Sequence, residues 1–240
     1  MVRTATTFSI LFACAIVFTT GTFGKVLVDD QSKSRNVPDS LRRYPFRSAI
    51  IELEYGGSCS GRQMIYIDDY GMKEAKVDSF MTDMMGMSLP TYKMEIQNWD
   101  STFSVDMVKG IATAGLTPFT SKERRELSEM GNEAAQKMGM QSSQDTILGK
   151  PCTVWSMDSI KSKAWLWNDI TLKSAAELDE LKQYLEAKRI DLDVPVPSEV
   201  FIIPEGLQII TTDDINKMLQ NLDEGATKPA KKGKKKKDSD

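Results

Sequence analysis

Gly149-Lys150-Pro151-Cys152-Thr153-Val154-Trp155, followed closely by Lys163-Ala164-Trp165-Leu166-Trp167-Asn168-Asp169-Ile170-Thr171-Leu172-Lys173, is the stretch whose reading decides the fold. It holds three of the four tryptophans and one of the three cysteines of the 240-residue chain. Its polarity alternates as in paired strands, and it carries no catalytic signature. Trp165 and Trp167 stand two apart, so they share one face of a strand. The stretch points to an exported β-protein that encloses or presents an apolar surface.

The same texture extends upstream. In Phe46 to Tyr55, Ala49, Ile51, Leu53 and Tyr55 fall on one side and Ser48, Glu52 and Glu54 mostly on the other, the pattern of a strand with one buried face. Gly56-Gly57 and Asp69-Tyr70-Gly71 are turn signals around a second strand, Ser60 to Asp68, and Lys73 to Phe80 is a third. Thr91 to Lys109 is the clearest hairpin, turning at Asp100-Ser101. Ser121 to Gly139 shifts to a helical period with a thin stripe of Leu127, Met130, Ala134, Ala135 and Met138. Glu177 to Ala187 has helix-favouring composition, although Tyr184 to Asp191 also fits a strand. Val194 to Ile203 reads as a loop then an edge strand. Asp213 to Leu222 reads as a short helix capped by Asp213 or Asp214.

The first 24 residues read as a signal peptide. Arg3 precedes an apolar run from Phe8 to Phe18 that is too short to span a bilayer, and cleavage before Lys25 fits Thr22-Phe23-Gly24. A second reading makes Leu11-Phe12-Ala13-Cys14 a lipobox with Cys14 lipidated. Residues 25–45 read as a linker, 46–222 as a single β domain, and 223–240 as a disordered lysine-rich tail. An exported chain meets an oxidising compartment, where Cys59 and Cys152 form a disulfide or stay as two buried thiols; the bridge is the expectation. The chain has no histidine. That excludes Ser-His-Asp and Cys-His catalysis and histidine-based zinc sites, and no other nucleophile–base pair is recognisable. A non-catalytic protein without a cofactor is expected.

The Gly-x-x-Cys-x-Val-Trp strand, the Lys163–Lys173 strand pair and Val200-Phe201-Ile202-Ile203-Pro204-Glu205-Gly206, with Gln63 to Gly71 as an early hairpin, resemble the uncharacterised exported proteins related to the outer-membrane lipoprotein carrier (LolA/LolB-like) superfamily. The resemblance runs from Phe46 to Gly206. It implies a mainly β (α+β) fold: an open, strongly curved antiparallel sheet, or half-barrel, with one or two helices over the concave face. The cavity between them would hold a lipid, an acyl chain or a lipoprotein. Under that reading Trp155, Trp165, Trp167, Met94, Phe103 and Met130 line the cavity, and the protein belongs to the periplasm or cell envelope of a diderm bacterium.

Other features admit plainer readings. The tryptophans serve a packed sheet core as well as a pocket. Met81, Met84, Met85, Met87 and Met94 suit cavity lining or packing; thioethers at such spacing also suit Cu(I), with Met84, Met85 and Met87 as ligands. Asp68-Asp69 and Asp213-Asp214 fit turn and cap chemistry. The tail from Lys228 holds seven lysines and two aspartates, a charge of +5, against 23 basic and 32 acidic residues and −9 on the body from residue 25 to 227. Lys231 to Lys237 thus solubilise the chain or attract an anionic membrane surface or acidic partner; export argues against nucleic acid. A structural or interaction protein with a filled sheet and a docking tail is the main alternative to the lipid carrier.

Overall fold

The computed structural model describes residues 36–116, 131, 133–135, 137, 139–158, 161–178, 181–211 and 214. The strands among them are β1 (Ala49–Gly57), β2 (Cys59–Asp68), β3 (Lys73–Met84), β4 (Met87–Asn98), β5 (Ser101–Asp106), β6 (Ile111–Leu116), β7 (Gln141–Ile147), β8 (Lys150–Met157), β9 (Ser162–Trp167), β10 (Ile170–Leu178), β11 (Leu181–Leu192) and β12 (Gln208–Ile210). They form one open sheet in the order β12-β6-β5-β4-β3-β2-β1-β11-β10-β9-β8-β7. Every pairing is antiparallel except the short β12–β6 edge. The chain meanders from β1 out to β6, restarts at the opposite edge with β7, and meanders back until β11 pairs with β1.

Tight turns set the registers. Met85-Gly86, Leu148-Gly149 and Asn168-Asp169 all have positive φ at both positions, the conformation that matches the right-handed twist of a two-residue hairpin. They fix Met84 opposite Met87, Ile147 opposite Lys150 and Trp167 opposite Ile170. Register shifts at Glu52/Leu53 and at Thr171/Lys173 are bulges that bend their strands.

The registers also show that the sheet buries one face in one half and the other face in the other half. Ala49, Ile51 and Leu53 of β1 lie opposite Ile67, Ile65 and Gln63 of β2, and the isoleucines in turn lie opposite Glu74 and Lys76 of β3. That face is apolar through β1 and β2 and turns polar at β3. The reverse face becomes apolar there: Tyr66 and Met64 lie opposite Ala75 and Val77, which face Ile96 and Met94, then Phe103 and Val105. Two cores result. The first gathers Tyr44, Phe46, Ile51, Leu53, Ile65, Ile67, Cys152, Trp167, Leu172 and Leu185. The second gathers Ala75, Met94, Ile96, Val105, Ala112 and Phe201. Each large aliphatic side chain buried this way contributes about 1.5–3 kcal/mol before entropy is counted.

Irregular straps close both cores. Tyr44 and Phe46 cover the first and, with Val37, are buried, so residues 36–45 belong to the fold and are not a free linker. Val196, Val200, Phe201, Ile203 and Leu207 cover the second from a segment with a 3-10 turn at Ser198–Phe201, in place of the expected edge strand. The described helical residues, 131, 133–135 and 137, are exposed or half-buried. Glu177 to Ala187 is resolved in favour of the strand: from Leu181 onward it belongs to β11, where Leu185 and Ala187 alternate into the first core opposite Tyr55 and Leu53. Tertiary burial overrides helix propensity there. The expected helix from Asp213 to Leu222 lies, apart from Asp214, outside the described residues. Thr211 donates through N and Oγ1 to Asp214 Oδ2 at 3.0 and 2.7 Å, and Asp214 N donates to Thr211 Oγ1 at 3.3 Å.

Candidate functional site: a methionine hairpin and the dispersed tryptophans

The residues expected to line one cavity are distributed over the molecule. Trp167 is buried in the first core, stacked on Phe46 at 5.3 Å; Phe46 stacks on Tyr44 at 5.2 Å. Cations close both ends of this aromatic column, Arg43 5.0 Å from the Tyr44 ring centre and Lys150 5.0 Å from that of Trp167. Trp165 is half-buried at the margin of the same core, and its indole N–H donates to Asp145 Oδ2 at 2.8 Å. That bond, ahead of the backbone N–H of Thr146, holds the Asp145 carboxyl below the ordinary aspartate value.

Trp155 is on the other face. Trp165 is directly opposite Val154, so the neighbouring Trp155, opposite Ala164, points away from it. Met94 is buried in the second core and Phe103 packs against that core. Met130 lies outside the described residues. Trp167 and Met94 thus belong to two different cores, and Trp155 shares no face with the other two tryptophans. Alternation within one strand was readable from the sequence; the register between β8 and β9 was not.

The expected Cys59–Cys152 bridge is not formed, and both thiols are free and buried. Cys59 Sγ lies 3.5 Å from Thr82 Oγ1, and Cys152 Sγ lies 3.4 Å from the Lys150 carbonyl. The strand order places β2 and β8 five strand spacings apart, whereas a disulfide needs Cα atoms within about 7 Å. Burial pushes the Cys152 thiol up from its ordinary value.

The acidic pair Asp68-Asp69 is structural. Asp69 is buried and pairs with Lys73 at 3.3 Å. Among the described residues no three carboxylate or thiol groups converge on a point where a metal could sit. A surface groove of about 440 Å³ is lined by Asp158, Lys161, Lys163, Ala175 and Glu177.

The apolar surface lies elsewhere, on a hairpin the sequence did not announce. β3 and β4 are each twelve residues long. The ladder to β2 ends at Cys59↔Thr82, followed by a bond from Asp83 N to the Ser58 carbonyl, and the ladder to β5 ends at Lys93↔Asp106, followed by a bond from Met107 N to the Tyr92 carbonyl, so β3 and β4 pair only with each other at the apex. Met84, Met87 and Leu89 fall on one face of this hairpin end and Met81, Asp83, Ser88, Pro90 and Tyr92 on the other, Met81 still opposite Ser60 of β2, while Met85 occupies the turn. All of them are exposed. Near the apex the polar contact is a Ser88 to Asp83 hydrogen bond. Met84, Met85 and Met87, the three expected copper ligands, therefore share the tip, while Met94 is buried well down β4.

The ribbon is anchored to the first core at its base. Tyr55 packs against Phe80 with ring centres 4.3 Å apart and planes tilted by 39°, and its phenol donates to Asp78 at 2.6 Å. Gln63 Nε2 donates to the same oxygen at 2.7 Å. Burial, followed by the neighbouring Asp78 charge, pushes the Tyr55 phenol well above its ordinary value, so it stays a donor.

No protein-family model matches the chain, and no curated protein matches it. Solved structures similar to it include an uncharacterized conserved protein from Thermus thermophilus, at 6% identity and a TM-score of 0.42 over 72% of this chain and 95% of that one. MucB is similar at 9% identity and a TM-score of 0.34, over 68% of this chain and 60% of that one. LprF from Mycobacterium bovis is similar at 9% identity and a TM-score of 0.29, over 69% of this chain and 91% of that one.

Proposed function

We propose that the chain is a non-catalytic lipid-binding protein of the cell envelope that meets the apolar phase through the tip of the β3–β4 hairpin. The observation that carries this reading is the exposure of Met84, Met87 and Leu89 on one face, and of Met85 at the apex, of a hairpin end that extends past β2 and β5, with Asp83 and Ser88 on its other face. An amphipathic tip of this kind suits the boundary of a lipid layer, its apolar face in the acyl region and its polar face toward water. Burying Met85 contributes roughly 1.5 kcal/mol or more, and the half-exposed Met84, Met87 and Leu89 about half as much each, which suits reversible attachment and falls short of permanent insertion. The lysines from Lys231 to Lys237 add attraction to an anionic surface, about 1 kcal/mol per lysine close to it.

Co-sedimentation with phosphatidylethanolamine–phosphatidylglycerol vesicles tests this. The full chain is expected to bind. Replacing Met84, Met85 and Met87 by serine removes most of the binding, and shortening the chain after residue 227 removes its salt-sensitive part. A serine variant that binds like the parent sinks the proposal.

A second reading, an envelope docking protein with a filled sheet, is favoured by the assignment of Trp167 and Met94 to separate cores. It expects no saturable uptake of a fluorescent fatty acid. Stoichiometric uptake that quenches tryptophan emission would favour an internal cavity instead.

A further inference from the structure

The tip is built from thioethers where leucine or phenylalanine would bury as much apolar surface, and thioethers differ from those side chains in one chemical respect: they accept an oxygen atom. Sulfoxide formation turns a flexible apolar side chain into a strongly dipolar one and is reversed enzymatically. The rate follows access to sulfur. The methionines of this hairpin form a steep series, Met85 88% exposed, Met87 57%, Met84 39% and Met81 37%, ending at Met94 with 8%. The accessible sulfurs of this hairpin are at its end, and the protected one is inside the second core. Oxidation of the most exposed of them would therefore change the apex without reaching Met94.

We infer that the β3–β4 tip is a methionine-oxidation site, with Met85 and Met87 as its principal targets, at which a peroxide-class oxidant reversibly cancels the attachment to lipid. This rests on the lipid-binding reading above. In the step itself the thioether sulfur attacks one peroxide oxygen and gives up two electrons. The O–O bond breaks, that oxygen stays on sulfur as the sulfoxide, and the other leaves as water with both peroxide protons. A polar S–O group at positions 85 and 87 places two dipoles at the apex of the ribbon, where nothing in the described structure offers them a donor once they enter an acyl layer.

The test uses the full chain, hydrogen peroxide, peptide mass mapping and phosphatidylethanolamine–phosphatidylglycerol vesicles. Mapping is expected to order oxidation as Met85 and Met87 first, then Met84 and Met81, with Met94 last. Vesicle binding should fall by about tenfold or more when Met85 and Met87 are oxidised, and return after treatment with the two epimer-specific sulfoxide reductases. Whatever vesicle affinity Met84→Leu/Met85→Leu/Met87→Leu starts from, peroxide should leave that affinity unchanged. Parent binding that survives oxidation at both positions overturns this inference alone, as does a leucine variant that loses binding to peroxide as the parent does. An unoxidised chain that never binds vesicles overturns the lipid reading and this inference together.

Discussion

The phenol of Tyr44 donates to Glu74 Oε2 at 2.9 Å, tying the strap before β1 to a buried carboxylate on β3 across the isoleucines of β2. Arg43 meets the same oxygen at 2.8 Å, so one carboxylate anchors two consecutive strap residues. Tyr44→Phe keeps the ring stack and removes one donor from a buried charge; it should cost about 1–3 kcal/mol in urea unfolding. Tyr44→Ala also empties part of the core and should cost about 3–5 kcal/mol. Equal stability of Tyr44→Phe and the parent would show that the bond contributes nothing.

Gly71 adjoins the same strap. Its φ is +88, and a Cβ there would sit 2.7 Å from Tyr44 Cδ2, inside contact distance and against a ring held on both faces. Gly71→Ala should therefore combine backbone strain with displacement of Tyr44, destabilising by roughly 1–3 kcal/mol. Thermal unfolding measures it. Gly86→Ala is the control: it has φ +76 but no neighbour within 4 Å, so it isolates the backbone part.

The tryptophans should separate in mutational cost. Trp167→Ala removes a buried member of the aromatic column and should cost about 3–5 kcal/mol. Trp155→Ala removes a half-buried ring from the other face and should cost about 1–2 kcal/mol. A reversed order in denaturant midpoints would contradict the β8–β9 register.

Both thiols should be inert in the folded protein. A thiol reagent at neutral pH is expected to label Cys59 and Cys152 only as the chain unfolds, because both are buried and burial disfavours the Cys152 thiolate. A reducing agent should leave the melting temperature unchanged. A fall in melting temperature on reduction would establish a bridge.

Acid should reach the Asp145 and Glu186 contacts of the β7–β11 half only below the ordinary carboxylate range. Asp145 is held below its ordinary value by Trp165, and Glu186 by Lys173 and Lys188. For a carboxyl lowered in the folded state, the stabilisation is complete above the unfolded value and is lost as pH falls through the folded one. The emission difference between the parent and Trp165→Phe should thus be flat from neutrality down to the ordinary carboxylate range, about pH 3.9–4.3, and change only below it. A transition near pH 6 would rule out the Asp145 assignment.

Much of the sheet was legible in the sequence because strands with one buried face carry a period of two. Ala49, Ile51 and Leu53 showed it, as did Met94 and Ile96 against Val105 and Phe103. The hairpin tip was not legible: Met81 to Pro90 mixes apolar residues with Asp83 and Ser88 on one face, so its alternation is weak, and methionine at the first turn position is a weak turn signal. β11 was ambiguous because Glu186, Lys188 and Arg189 favour helix, while its strand conformation is set by pairing with β1. Tyr44 looked like the end of a linker and Phe46 like the start of a strand, because irregular chain that packs through two aromatic rings has no repeat to detect. The copper, cavity and tail expectations concerned what surrounds the side chains, and local sequence does not encode which strands become neighbours.

The change of buried face between β2 and β3 has a consequence for how the protein comes apart. The two halves share one hydrogen-bonded ladder and a pair of phenol–carboxylate clasps, Tyr44 on Glu74 and Tyr55 on Asp78, but each keeps its own oily interior and its own strap. Such a molecule has a seam down its middle. Amide exchange should divide it there into two cooperative units, with β1, β2 and β8–β11 in one and β3–β6 in the other. The projecting hairpin belongs to the second unit, so it can loosen while the aromatic column of the first stays shut.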